Sequence, residues 1–153
     1  MLAACAGSVD PTGYEAPALA GDDLAKYSPA EDPYRKGADH FARGEYGLAE
    51  QNFREATEKT PQDAGSWIAL AACYDRLRRF DLSDRAYETA IKLSGETALV
   101  LNNQGYSYML RGNLTAARAK LAKARALEPD NPLVQNNLKL LDGSAKYAKQ
   151  GAL

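Results

Sequence analysis

The sequence has few of the side chains that build metal centres. Of its 153 residues only two are cysteines, Cys5 and Cys73, and one is a histidine, His40. This supply is too small for a multi-imidazole site, and the two cysteines have no zinc-site spacing. We therefore expect neither a metal nor another cofactor.

Long apolar runs and a strong charge of one sign are also lacking. No run reaches the roughly 18 apolar residues that a transmembrane helix needs. Residues 1–60 carry 6 basic and 11 acidic side chains, a net charge of −5, and residues 61–153 carry 13 and 9, a net charge of +4. This asymmetry is too mild for the basic patch typical of nucleic-acid binding. The 45% hydrophobic content is nevertheless sufficient for a folded core.

The sequence does contain an internal repeat with a period of 34 residues. Small residues recur in one column, aromatic or leucine residues in a second and alanine in a third. These columns are Ala49, Ser83 and Ala117; Phe53, Tyr87 and Leu121; and Ala56, Ala90 and Ala124. A period of this length predicts a solenoid, in which each unit buries its apolar face only against its neighbours.

The repeated positions resemble the tetratricopeptide repeat (TPR). Trp67, Leu70-Ala71 and Tyr74 match the first half of its pattern, while Ala49, Phe53, Ala56 and Pro61 match the second half. The chain departs from the pattern at Pro33 and Lys36, where apolar residues are usual, and at Gly95, where proline is usual. The resemblance implies an all-α, right-handed solenoid of three helix-turn-helix repeats and a C-terminal capping helix.

This resemblance also divides the chain. A TPR domain is predicted over residues 31–141, with repeats at about 31–63, 64–97 and 98–131 and a cap at 132–141. Its helices are expected near 32–43, 47–59, 64–77, 81–94, 97–111, 114–127 and 131–141. Residues 142–153 lack an apolar stripe and are expected to form a frayed basic tail.

Residues 1–30 form a separate segment, rich in glycine, proline and small or acidic residues. This composition predicts a flexible leader. Leu2-Ala3-Ala4-Cys5 resembles a bacterial lipobox, which implies a lipid on Cys5 and gives the protein its expected route to a membrane. The charged and apolar parts of a signal peptide are missing from the sequence, so an accidental match and a terminus without a role remain alternatives.

The TPR resemblance also implies a candidate binding surface on the concave side, which the first helix of each repeat lines in this family. The corresponding residues are Tyr34, Phe41, Ile68, Asp75, Asn102, Asn103, Tyr106 and Met109. They offer apolar contact area and amides able to bond a partner's backbone. Packing of the rings against the leader or a neighbouring helix is the alternative. The basic residues that clamp a chaperone's terminal carboxylate in some TPR domains are not found at Ala38, Ile68, Ala69 and Asn103.

Two further sets of residues bear on function. The second helix of the third repeat carries four basic residues, Arg118, Lys120, Lys123 and Arg125. They indicate either a solvated outer face or a contact for anionic lipid or an acidic partner. A cysteine–histidine nucleophile is not expected, because His40 falls in the aromatic column of the first repeat and Cys5 in the leader. We therefore expect no enzymatic activity.

The sequence as a whole favours a protein-interaction module whose partner is another protein or peptide segment. It resembles the small TPR lipoproteins of Gram-negative bacteria, in particular TadD-like assembly proteins of tight-adherence (Flp-type) pili. The segment from Asn102 to Gly112 carries this likeness. It implies a location on the periplasmic side of the outer membrane and a role in assembling a pilus or secretion complex. The alternative is a cytoplasmic scaffold or regulatory adaptor without a lipid.

Overall fold

The structure is a computed structural model that describes residues 32–150 of the chain, and side chains as far as residue 146. This part of the chain contains seven α-helices and no strand. The helices are α1 (Pro33–Ala42), α2 (Tyr46–Lys59), α3 (Ala64–Arg76), α4 (Phe80–Ser94), α5 (Ala98–Leu110), α6 (Leu114–Leu127) and α7 (Pro132–Gln150). The all-α repeat architecture expected from the sequence is confirmed. The predicted leader, residues 1–30, lies outside the described residues.

Local sequence explains where the helices begin. The Asp32 carboxylate accepts a hydrogen bond from the Tyr34 amide at 3.0 Å, and Asp63 accepts one from the Ser66 amide at 3.0 Å. Thr97 and Asn113 cap α5 and α6 in the same way. Each cap satisfies an amide that the first helical turn leaves without a partner. The helix starts expected from the repeat pattern therefore lie within a residue or two of those observed.

The core lies between the helices of each hairpin and between successive hairpins. Helices α1 and α2, α3 and α4, and α5 and α6 pack as pairs, and each even helix also contacts the next odd one. All three repeat columns are buried at these contacts, including Phe53, Tyr87 and Leu121. The 34-residue spacing thus places equivalent side chains at equivalent packing positions.

Two glycines permit the closest helix approaches. A β-carbon on Gly105 would lie 2.6 Å from Cγ of Leu121, and one on Gly37 would lie 2.8 Å from Cδ1 of Phe53. Heavier side chains would therefore force these hairpins apart. Ala71 occupies the same column in the second repeat, where it is fully buried.

The last helix differs from the expectation. The predicted cap ended at residue 141 and was followed by a frayed tail, but α7 continues without interruption to Gln150. Gly143 does not end the helix, because glycine lowers helix propensity by only about 1 kcal/mol and no proline follows it. Val134 and Leu141 of α7 are buried, and the helix packs on α5 and α6. The capping position is as predicted and the tail prediction is wrong up to residue 150.

Candidate partner-binding groove

The odd helices form one side of the stack. Helix α1 contacts α3, α3 contacts α5, and α5 contacts α7, so these helices approach one another along the solenoid. Helices that approach one another in this way line the concave side of a curved stack. All eight residues predicted for the binding groove lie on α1, α3 and α5.

The aromatic residues of α1 pack within the first repeat. The Tyr34 ring is half-buried and meets the Phe53 ring edge-on, with centroids 5.4 Å apart. Phe41 is buried and meets Tyr46 of α2 in the same manner at 5.2 Å. Both rings thus contribute to the core of the first hairpin, which was the alternative to a purely partner-facing role.

Three other predicted residues are apolar contacts at the inner side. Ile68 of α3 and Tyr106 of α5 are buried within the main core cluster. Met109 remains half-buried and packs beside a second cluster formed by Ala117, Leu121 and Leu141. The inner helices therefore bring the predicted residues together, but leave Tyr34 and Met109 as the more accessible ones.

The two asparagines of α5 have different surroundings. Oδ1 of Asn102 accepts a hydrogen bond of 2.9 Å from Nδ2 of Asn137 in α7, which links the third repeat to the capping helix. Asn103 is 1% exposed, yet neither its amide nitrogen nor its amide oxygen has a hydrogen-bond partner among residues 32–150. A buried amide without partners costs free energy, so a ligand that bonded Asn103 would supply hydrogen bonds that the described residues do not.

Asp75 does not lie on an open surface, in contrast to the expectation for a groove residue. Its side chain is 3% exposed and accepts hydrogen bonds from Oγ of Ser107 at 2.6 Å and from Oη of Tyr87 at 2.9 Å. Burial raises the pKa of this carboxyl, and the two hydrogen bonds and the nearby Arg111 charge oppose that rise. Asp75 is thus an internal link between the second and third repeats.

Arg111 extends this network to the outer helix of the second repeat. Its guanidinium donates two hydrogen bonds to the Asp84 carboxylate, at 2.8 and 2.6 Å, and a third to Ser107 at 2.8 Å. It also lies over the Phe80 ring, 4.8 Å from the centroid. Charge-assisted bidentate pairing of this kind fixes geometry. The network orients α5 against α4, and no part of it follows from the repeat period.

Arg76 is an inner-face residue that the sequence interpretation missed. Its Nη2 donates to the Tyr46 hydroxyl at 2.5 Å, and its guanidinium carbon lies 4.7 Å from the Tyr46 ring centroid. Nη1 lies 3.5 Å from the Tyr106 hydroxyl. The signal was present in the sequence, because Ala42 and Leu110 are the residues 34 positions away and only the second repeat has a charge in this column.

Three of the four basic residues on α6 pair with neighbouring acids, and two of them share the same glutamate. Arg118 contacts Asp142 at 2.8 Å, and Lys120 and Lys123 contact Glu96 at 3.9 and 3.1 Å. Apart from the half-buried Lys120 these side chains are exposed, so the pairs contribute little to stability. Their arrangement favours a solvated outer face over a contact for anionic lipid or an acidic partner.

The described residues offer little for metal or thiol chemistry. Within residues 32–150 no group of three histidine, cysteine or acidic side chains is placed to hold a metal ion. Cys73 is buried, and burial raises the pKa of its thiol, so the reactive thiolate is disfavoured. His40 contacts Glu45 at 2.6 Å.

None of the helices in this range is long and apolar enough to cross a membrane. Cys5, the predicted lipidation site, lies outside these residues.

The repeat pattern can now be assigned to a family. The family model of the tetratricopeptide repeat matches residues 34–83 and 74–132. The chain belongs to the tetratricopeptide-repeat family. As a TPR protein it is a protein-interaction module, and the prediction made from Trp67, Phe53 and their repeat equivalents is confirmed.

Part of this TPR chain is similar in sequence to known proteins. The cytochrome c-type biogenesis protein CycH of Rhizobium meliloti is 42% identical over 77 residues, which span 47% of this chain and 20% of the relative. CycH of Bradyrhizobium diazoefficiens is 37% identical over 78 residues, which span 49% of this chain and 21% of the relative. The matched segment is therefore only about a fifth of these relatives' length.

Solved structures agree with the fold. The type III secretion chaperone SycD of Yersinia enterocolitica, in complex with a peptide of the translocator YopD, has a TM-score of 0.62 at 16% identity. The alignment covers 89% of this chain and 99% of SycD. At this identity the likeness establishes the TPR architecture.

Proposed function

We propose that this TPR chain holds a segment of another protein against α1, α3 and α5 while a bacterial envelope complex is assembled. The single observation that carries the proposal is Asn103, a buried amide with no hydrogen-bond partner among the described residues. A backbone segment supplies both an N–H and a C=O, so it can satisfy the amide oxygen and nitrogen together.

The neighbouring residues fit such a segment. Tyr106 lies one helical turn after Asn103 and Met109 lies six residues after it, and both are apolar residues of the same inner helix. The flexible thioether of the half-buried Met109 provides contact area that tolerates different partner side chains, whereas the Tyr106 ring, which is 8% exposed, provides little. The bound segment would thus be positioned by Asn103 and stabilised mainly by apolar contact.

Two comparisons support a role in assembly. The relative CycH is named for cytochrome c-type biogenesis, and SycD is a secretion chaperone in complex with a translocator peptide. We propose a role of the same general kind, in the assembly of other proteins, for this chain. The pilus or secretion complex inferred from the TadD-like segment is the specific assembly we propose.

In-cell photocrosslinking tests the groove. A photoreactive phenylalanine analogue would replace Met109 on the inner side, and in a separate variant Leu48, which is 46% exposed on α2. We expect a protein to be crosslinked from position 109 and not from position 48, and we expect Asn103→Ala to reduce the crosslink. A crosslink from position 48 alone, unaffected by Asn103→Ala, would place the partner elsewhere and contradict the proposal.

The envelope location is a separate part of the proposal and has its own test. It rests on Leu2-Ala3-Ala4-Cys5, outside the described residues. Several acyl chains hold a protein on a membrane much more firmly than one. We therefore expect the protein expressed from its natural gene to fractionate with membranes and the Cys5→Ser variant to be released. If both are found in the soluble fraction, the cytoplasmic scaffold replaces the lipoprotein.

A further inference from the structure

The three junctions between successive hairpins are α2–α3, α4–α5 and α6–α7, and their loops are fastened differently. In the first junction, Nε1 of Trp67 donates a hydrogen bond of 2.9 Å to the Pro61 carbonyl. In the third, Nε2 of Gln135 donates one of 3.2 Å to the Pro129 carbonyl. Each bond closes the loop onto the helix that follows it, and each proline has a fixed φ angle. The first and third junctions are therefore held at the loop.

The loop of the second junction, between α4 and α5, has neither device. Gly95 replaces the proline, with φ 77° and ψ −175°, a conformation that is essentially restricted to glycine. Leu101 occupies the position of Trp67 and Gln135, but it has no side-chain donor and is buried. The Gly95 carbonyl accepts a hydrogen bond of 3.1 Å from the Thr97 amide inside the loop. Helix α4 also contacts α5 less extensively than α2 contacts α3 or α6 contacts α7.

Polar contacts hold the opposite end of the second junction. Arg111, just after α5, donates two hydrogen bonds to Asp84 near the start of α4, at 2.8 and 2.6 Å. Ser107 of α5 accepts a bond of 2.8 Å from Arg111 and donates one of 2.6 Å to Asp75 of α3. Water can replace each of these bonds when the helices separate. Separation would also hydrate the Asp75 carboxylate, whose charge is disfavoured by burial.

The first and third junctions also have an ion pair away from the loop. Arg79 contacts Glu50 at 2.8 Å in the first, and Arg118 contacts Asp142 at 2.8 Å in the third. These junctions are thus fastened both at the loop and away from it. The second junction is fastened by directional bonds at one end only, and its other end has a glycine loop.

We infer that the stack bends at the second junction: the third repeat and α7 pivot together about the Gly95 loop when the bonds from Arg111 to Asp84 and Ser107 are released. A few loop residues can absorb the backbone rotation of such a hinge. The apolar contact of Leu101 is non-directional, so a small rotation breaks no specific bond there. Because α3 and α5 lie on opposite sides of the pivot, bending changes their separation on the inner side of the stack. The inference concerns the fold and does not depend on the proposed partner.

Double electron–electron resonance between nitroxide labels on the full chain tests the hinge. A Cys5→Ser background leaves only the buried Cys73 as a native thiol. Labels on cysteines that replace Glu88 of α4 and Ala122 of α6 span the second junction. Labels at Gln51 of α2 and Glu88 span the first junction, and all three positions are exposed. Circular dichroism would establish that each variant is folded.

In the background protein we expect the α4–α6 label pair to show a main distance and a minor population that is longer by several ångströms. Arg111→Gln and Asp84→Asn should each make the longer population the major one. Arg111→Lys keeps the charge without the planar fork, so it should give an intermediate distribution. The matched control is Arg79→Gln, which removes the ion pair of the first junction. It should leave the α2–α4 distance unchanged, because Trp67 still fastens that loop.

Three results would overturn the hinge. A single α4–α6 distance that is the same in the background protein, Arg111→Gln and Asp84→Asn would show that the second junction is rigid. Equal broadening of both label pairs in Arg111→Gln would indicate that the whole stack loosens, without a pivot at Gly95. A shift of the α2–α4 distance in Arg79→Gln as large as that of the α4–α6 distance in Arg111→Gln would show that the difference between the loops has no effect.

Discussion

Arg78 adopts a backbone conformation that the other repeats assign to glycine. Its φ angle is 60°, and Gly44 and Gly112, 34 residues before and after it, have φ angles of 75°. A left-handed conformation costs a residue with a β-carbon about 1–2 kcal/mol. The side chain recovers part of this through the Phe80 ring, whose centroid lies 5.6 Å from the guanidinium carbon.

We therefore predict that Arg78→Gly raises the free energy of unfolding by about 0.5–1 kcal/mol. Removing the left-handed strain stabilises the folded state, and the greater conformational freedom of glycine in the unfolded chain offsets part of that gain. Urea unfolding followed by circular dichroism measures this difference. The control is Arg43→Gly, at a φ of −87° in the corresponding turn of the first repeat, and it should lower stability. Equal effects of the two substitutions would contradict the strain at Arg78.

Asp75 gives a pH-dependent prediction. Burial raises the pKa of its carboxyl in the folded state, so the folded protein favours the protonated form relative to the unfolded chain, where the pKa is about 3.9. Its contribution is fully present below that pH and is lost as the pH rises through the folded-state pKa. Asp75→Asn keeps the shape and removes the titration.

We accordingly expect the free energy of unfolding of wild type, measured relative to Asp75→Asn, to fall as the pH rises above about 4. The fall should be about 1.4 kcal/mol for each unit by which the folded pKa is raised. Urea titrations of both proteins over this range measure it. A difference that stays constant with pH, or that increases, would show that hydrogen bonds from Ser107 and Tyr87 outweigh the burial.

At the scale of the helices, the repeat columns predict backbone positions better than side-chain partners. Periodicity and capping residues such as Asp63 place α1 to α6 to within about two residues. The equivalents of Asp75 in the other repeats are Phe41 and Met109, so the repeat columns give no reason to expect a buried carboxylate at this position. Its hydrogen-bond partner Ser107 is 32 residues away and belongs to a different column. The length of α7 was missed because residues 142–153 lack an apolar stripe, whereas an uninterrupted helix needs only the absence of a strong breaker.

The contact between α5 and α6 provides a test of close packing. A methyl group added to Gly105 would lie 2.6 Å from Cγ and 2.8 Å from Cδ2 of Leu121. We predict that Gly105→Ala lowers the free energy of unfolding, because overpacking of about 1–3 kcal/mol exceeds the helix-propensity gain of about 1 kcal/mol. Chemical unfolding measures the loss.

A double-mutant cycle identifies the cause of that loss. Leu121→Ala makes room for the added methyl group, so Gly105→Ala combined with Leu121→Ala should cost less than the two single changes added together. Gly143→Ala is the control in α7, where nothing lies within 4 Å of the added atom, and it should raise stability. Strict additivity in the cycle would exclude the contact with Leu121 as the source of the effect.

At the scale of the whole molecule, α7 closes the apolar end of the stack. A solenoid distributes its stability over the repeats and their interfaces, so the last repeat needs a cover with a polar outer side. Leu141 and Val134 are 0% exposed, and Leu141 packs with Ala117 and Leu121 of α6. The hydrogen bond from Asn137 to Asn102 fixes the register of this cover.

We predict that Leu141→Ala lowers the free energy of unfolding by about 2–5 kcal/mol, the usual cost of truncating a buried leucine. Deleting residues 132–153 should lower the thermal midpoint further and cause self-association, because the apolar sides of α5 and α6 become exposed. Circular dichroism measures the first effect and light scattering the second, with the exposed Lys139→Ala expected to stay within about 0.5 kcal/mol of wild type. A deletion variant with an unchanged midpoint that remains monodisperse would show that the three repeats are stable without α7, and the capping role would then be wrong even though the helix packs on them.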